Sequence, residues 1–188
     1  MKYLKVAAVA AIALLAFSCA PKLPQAEVDA ATAAFNAAKT AQADVYAADA
    51  FKTASAANDT LQADLSSKAY AKAKTDAKAL QDASAAASAA VDAGKATMKT
   101  SLDQAVTDLG AELPVVQKEL AKAVHAGKKA KLDVKPYKTL VADTKSGLAD
   151  VKSSEDAGNI ADANTKITAL KATLDDAKAK LEAAGYKA

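Results

Sequence analysis

His125 is the only histidine in the chain and Cys19 the only cysteine, far from it in sequence. Zinc chemistry needs three or four nitrogen or sulfur ligands, and a thiol nucleophile needs a base beside it. One histidine and one cysteine supply neither, so His125 reads as a surface residue near a helix end. Aspartate is plentiful, yet no Asp-x-Asp-x-Asp-Gly loop occurs, and Asp175-Asp176 reads as a solvated helix face rather than a cation site. Paired-carboxylate hydrolysis stays open on sequence alone. No glycine-rich phosphate loop is present. The expectation is a non-enzyme with no catalytic residue, no metal site and no cofactor. Four aromatics, Tyr46, Phe51, Tyr70 and Tyr137, fall near expected helix ends, where they would staple adjacent helices together or line a partner or ligand surface.

The chemistry of Cys19 is set by what precedes it. Lys2 and Lys5 lead into an apolar run from Val6 to Phe17 that stops at Ser18-Cys19. A basic start followed by about 12 apolar residues is a signal-peptide core, too short to span a bilayer. Ala16-Phe17-Ser18-Cys19 resembles a bacterial lipobox, which implies a diacylglyceryl thioether on Cys19 and cleavage just ahead of it. Leu15 stands four residues before the cysteine and Phe17 is bulky, departures from the enteric pattern that look like the relaxed spirochaetal form. Ordinary secretion is the competing reading, since Ala16 and Ser18 also suit signal peptidase I. A lone exported cysteine would otherwise be a free thiol in an oxidising compartment. Two or more acyl chains anchor a protein stably where one does not. Ala20, in place of an aspartate, points to the outer membrane by resemblance to enteric sorting. The expected organisation is a signal peptide at 1–18, a lipidated tether at 19–25, and helical units at 26–110 and 111–188.

All 25 basic residues are lysine, and removing Lys2 and Lys5 with the signal leaves 23 against 22 acids. The chain without its signal is thus nearly neutral. Without arginine it lacks the bidentate fork that reads phosphate and guanine, so nucleic acid is excluded as an expected partner. Hydrophobic residues make up 52% of the chain, but most are alanine. Alanine favours helix strongly and brings little volume to a core, so the composition predicts an all-α protein with thin, closely spaced seams.

Breakers and caps divide that helical chain. After Pro21 and Pro24, Val28, Phe35, Ala38, Ala41 and Val45 recur at helical spacing toward Tyr46. Asp49 is placed to cap a second helix carrying Phe51, Ala54, Leu61 and Leu65, and Ser66-Ser67 to cap a third running from Tyr70 to Gly110. Glu112 to Pro114 begins a fourth, with Val116, Leu120 and Val124 in its stripe and Gly127 at its end. Pro136 opens a fifth, and Ile160, Ile167, Leu170, Leu174 and Leu181 mark a sixth that stops at Gly185. About six helices are expected, as antiparallel hairpins or an elongated bundle.

The two halves also resemble each other. Phe51-Lys52-Thr53 lines up with Tyr137-Lys138-Thr139 and Asp64-Leu65 with Asp150-Val151; inserted residues then bring Tyr70 onto Ile160 and Leu80 onto Leu170. Stacked helical repeats offer binding surfaces more often than reactions. Ala37-Ala38, Ala41, Ala43, Tyr46-Ala47, Phe51, Ala54, Leu61, Tyr70, Ala73 and Ala77 resemble an uncharacterised bacterial lipoprotein domain, over the region from Ala26 to Ala90. In that family an alanine-rich helix leads through a Tyr-Ala-Pro turn into a TPR-like hairpin, and here Ala48 replaces the proline. The resemblance implies an envelope lipoprotein of no known activity.

The expected function is therefore a lipid-anchored structural or protein-interaction lipoprotein of the cell envelope, with a protein or wall partner and scope for self-association. The alternative is a lipid-handling protein whose amphipathic helices hold an acyl chain or lie on a bilayer.

Overall fold

The computed structural model describes residues 22–129 and 132–188, so the signal segment, Cys19 and the start of the tether lie outside the described residues. Within them the chain is all-α. Six α-helices run in order: α1 Gln25–Thr40, α2 Ala43–Tyr46, α3 Ala48–Ser66, α4 Tyr70–Ala126, α5 Lys135–Asp156 and α6 Ile160–Ala183. A 3-10 turn, Gly127–Lys129, follows α4.

The number matches the expectation, but several boundaries do not. The first helix breaks after Thr40 because Gln42 adopts a left-handed conformation, φ 61°, and Val45, expected in the apolar stripe, is exposed on the one-turn helix α2. Asp49 does not cap α3; Ala47 holds the cap position, and Asp49 sits in the first turn, where its charge meets the positive end of the helix dipole. Ser66 and Ser67 likewise do not cap the helix that follows. Their hydroxyls donate to the carbonyls of Gln62 (2.8 Å) and Asp64 (3.2 Å), closing α3 instead. Pro114 starts nothing: α4 continues through it for 57 residues in all. Proline removes one hydrogen bond, to the Gly110 carbonyl. Gly110 and Pro114 both face solvent, where water replaces that bond, while Leu109, Leu113 and Val116 stay buried on the other side.

The chain forms two compact units, the first running to Asp92 and the second from Ala93. The first contains α1, α2, α3 and the start of α4. Its core joins Ala31 and Phe35 of α1, Ala54 and Leu61 of α3, and Ala73, Ala77 and Leu80 of α4. Phe35 and Phe51 stack at 5.4 Å between ring centres, and the Lys39 ammonium lies 4.5 Å over the Phe35 ring. The second contains the rest of α4 with α5 and α6, and buries Leu102, Leu109, Val116 and Leu120 of α4, Val151 of α5, and Ile167, Leu174 and Leu181 of α6. Each fully buried leucine contributes about 1.5–3 kcal/mol. Val124, expected in the α4 stripe, is exposed.

The hairpins α3–α4 and α5–α6 follow one pattern. Leu61, Ala73, Ala77, Ser84, Ala87 and Val91 are buried, and so are Val151, Ala163, Ile167, Leu174, Ala177 and Leu181. Each pair is 90 positions apart, as 151 less 61 shows. The turns agree as well. Lys68 (φ 59°) and Gly158 (φ 79°) are both left-handed, and in each case the next residue's N–H donates back to the helix carbonyl five residues earlier, Ala69 to Asp64 and Asn159 to Ser154, both at 2.8 Å. These are Schellman closures. The constant spacing keeps the Tyr70–Ile160 and Leu80–Leu170 matches but replaces the match of Phe51 with Tyr137 by one with Val141, and no insertion is needed. Residue type differs between the two copies at most of these positions, as at Ala77 and Ile167 or Ser84 and Leu174, which is why likeness of residue type points to a different offset.

Lysine is strained where glycine is not, at a cost of about 1–2 kcal/mol. Lys68→Gly is therefore expected to raise the melting temperature of the first unit by several degrees, and Gly158→Ala to lower that of the second by a similar amount, read by thermal denaturation. Opposite signs at both sites would show that these turns do not carry the closure.

Candidate functional site

At the base of each hairpin a small polar group joins the two helices. In the first unit the Lys72 ammonium lies 3.0 Å from the Asp64 carboxylate, which is 13% exposed. The Asp76 carboxyl faces the same carboxylate, and its Oδ2 is buried without a hydrogen-bond partner among the described residues. Asp76 and then Lys72 hold Asp64 below the usual carboxylate range, and Asp64 pushes Asp76 up. The second unit carries different side chains at the same three positions. The Ser154 hydroxyl donates to Asp162 at 2.8 Å and accepts from Lys166 at 2.7 Å, and Lys166 lies 2.7 Å from Asp162. Lys166 and then Ser154 hold the Asp162 carboxyl low. One latch therefore sets two carboxyls against each other, and the other pairs a carboxylate with an ammonium through a hydroxyl.

A second polar contact fastens α4 to α6 inside the second unit. Glu112 accepts from Lys178 at 3.1 Å and from Lys171 at 3.5 Å, and it raises Lys178. Asp175 and Asp176, the adjacent acids of α6, are paired along the helix with Lys171 (3.1 Å) and Lys180 (2.6 Å), so they form a solvated face. Glu119, buried on α4, accepts from the Ala188 N–H at 3.1 Å.

An open groove of about 790 Å³ lies between α5 and α6. Its floor is Leu140, Gly147, Ala169 and Leu170, with Pro136 at one end; Asp133, Lys135, Asp143, Asp150 and Lys166 supply the charges, and Thr139, Thr144 and Thr173 the hydroxyls. The helices come close there because position 147 has no side chain: a Cβ on Gly147 would lie 2.7 Å from a Leu170 methyl. Leu170, expected in the buried stripe of α6, is only half-buried, because it forms the floor of this groove. A smaller concavity of about 600 Å³ in the first unit is lined by charged residues, including the Glu27–Lys74 pair at 3.0 Å.

The four aromatics singled out in the sequence do not gather into one site. Tyr46 is buried at the end of α2, Phe51 is half-buried against Phe35, Tyr70 is half-buried at the first turn of α4, and Tyr137 is half-buried near the start of α5 in the other unit. His125 is exposed in the last turn of α4. Among the described residues no group of three or more histidine, cysteine, aspartate or glutamate side chains is placed to hold a metal ion. The groove residues were not anticipated. Their signal was present: Asp143 and Asp150, seven apart, share a helix face with Leu140 and Gly147.

The raised Asp76 and lowered Asp64 have opposite linkage. Asp76 stabilises the fold most below its ordinary value of 3.8, and that contribution is lost as pH rises through its folded value. Asp64 stabilises above 3.8 and loses that as pH falls through its own lowered value. Asp76→Asn supplies a donor at every pH without a second charge. It is expected to raise the melting temperature at pH 7, with the difference from the parent closing toward pH 4 in melts recorded across that range. An unchanged difference at both ends would contradict the coupling of Asp64 to Asp76.

No protein-family description, curated protein or solved structure matches the chain.

Proposed function

We propose that this chain is a lipid-anchored lipoprotein of the bacterial cell envelope, a structural or protein-interaction component without catalytic activity. The observation that carries the reading is the basic start and apolar run, Lys2 to Phe17, ending at the only cysteine. An acylated Cys19 holds the protein on the membrane, at the outer membrane by the sorting argument, and the short tether through Pro21 and Pro24 leads into the helices. Among the described residues no helix is long and apolar enough to cross a membrane, so attachment in this reading rests on the acyl chains. The helical units supply the interaction surfaces for a protein or cell-wall partner. The open groove between α5 and α6 supports that role, since it exposes apolar floor beside fixed charges.

Lipid handling is the second reading, favoured by the same apolar floor. Against it stand Asp143 and Asp150, which repel fatty-acid and phospholipid head groups from the groove.

Cells fed an alkyne analogue of palmitate provide the test. The parent chain is expected to incorporate the label and to partition with the membrane, while Cys19→Ala loses both. Equal labelling of the two, or none in the parent, would contradict the anchor.

A further inference from the structure

We propose that the groove between α5 and α6 is a docking site for an amphipathic helix of a partner protein, one that carries lysines seven residues apart beside an aliphatic stripe. The inference rests on the interaction-protein reading above, and it identifies the chemistry of the partner.

The first unit shows how this face is closed when the chain closes it itself. Leu80 is fully buried there, in the core it shares with Ala31 and Phe35 of α1, and Ala43 and Tyr46 of the short helix α2 are buried as well. Ninety positions on, the second unit has Asp133 and Pro136 in place of Ala43 and Tyr46, both exposed, and Leu170 in place of Leu80, half-buried. The same hairpin is thus covered in one unit and left open in the other, over an apolar floor that includes Leu140 and Leu170.

The charges on the open groove select the occupant. Lys166 is already neutralised by Asp162 and bonded to Ser154, each at 2.7 Å. Asp133 accepts from the backbone N–H of Lys135 at 3.0 Å, and Lys135 itself stands at the Pro136 end. Asp143 and Asp150, by contrast, have no ion-pair partner among the described residues and lie seven apart on α5, two turns or about 10.5 Å. A docked helix with lysines at the same seven-residue spacing meets both carboxylates while its aliphatic stripe covers Leu140, Gly147 and Leu170. From Pro136 to Asp150 the groove offers about 20 Å, which accepts roughly four turns of helix. An acidic helix, or an anionic lipid head group, would instead leave both carboxylates facing like charge.

The test uses the acylated full chain in lipid nanodiscs and a fluorescent 18-residue alanine-leucine peptide with lysines seven apart, followed by anisotropy. A matched peptide with glutamate in place of lysine is the control. The lysine peptide is expected to bind at least tenfold more tightly than the glutamate peptide. Asp143→Lys with Asp150→Lys should reverse that preference, whereas Asp44→Lys with Asp59→Lys, two exposed acids of the first unit, should leave it unchanged. Circular dichroism melts establish that each variant is folded. Peptide binding should also shift the Gly147 amide resonance. Absent binding, equal sensitivity to both pairs of reversals, or a Gly147 shift that instead tracks the chain's own concentration would overturn the proposal, the last by making a second copy the occupant. Peptide binding without acylation of Cys19 would sink the anchor reading alone, and acylation without peptide binding would sink this one alone.

Discussion

Helices faced mainly with alanine bury little area per residue, so they hold together only when they approach closely and in a single register. That register is the constraint on which the rest of this protein depends. It is set at the hairpin turns, where one left-handed residue and two backbone bonds close the helix before the chain reverses. A slip of one residue would rotate the small apolar positions out of the seam and leave too few large side chains to compensate. Leu61 and Val151 occupy the same place in the two hairpins, and each is completely buried, because both turns fix the same distance to the opposing helix.

Polar contacts then do what a thick core does elsewhere. The Asp64–Lys72–Asp76 and Ser154–Asp162–Lys166 groups stand at matching positions, join the same two helices and differ in charge. Glu112, facing Lys171 and Lys178, fastens a third helix in the second unit. Exposed pairs along one helix add little each. The cross-helix contacts are more sheltered, as the 13% and 17% exposure of Asp64 and Glu112 indicates, and they specify which helix meets which. The units part company where the first buries Leu80 completely beneath α1 and the second leaves Leu170 half-buried, and the groove lies there.

The all-α class, the start of α5 at Pro136 and the stop of α6 near Gly185 were legible in the sequence, because proline and glycine act locally. The stripe of α6 was legible too, since Ile160, Ile167, Leu174 and Leu181 are large enough to mark a face. Pro114 misled: its cost depends on whether the lost bond faces solvent, which only the tertiary arrangement decides. The break at Gln42 and the turn at Lys68 gave no signal, because neither residue type is one that favours a left-handed backbone. The 90-residue correspondence was half visible, at Tyr70 and Ile160, and elsewhere hidden by alanine, whose recurrence carries little information about register. The groove escaped because it is defined by what is missing, the side chain of Gly147.

The most direct test of this account compares Leu80 with Leu170, which the register makes equivalent and the packing makes different. Leucine-methyl NMR spectra of the folded chain, recorded with a soluble paramagnetic agent, report solvent access at each. The account predicts strong broadening of the Leu170 methyls and none at Leu80. Equal protection of both would mean that the second hairpin is already covered, and equal broadening that the first is not; either would contradict a groove left open in one unit alone.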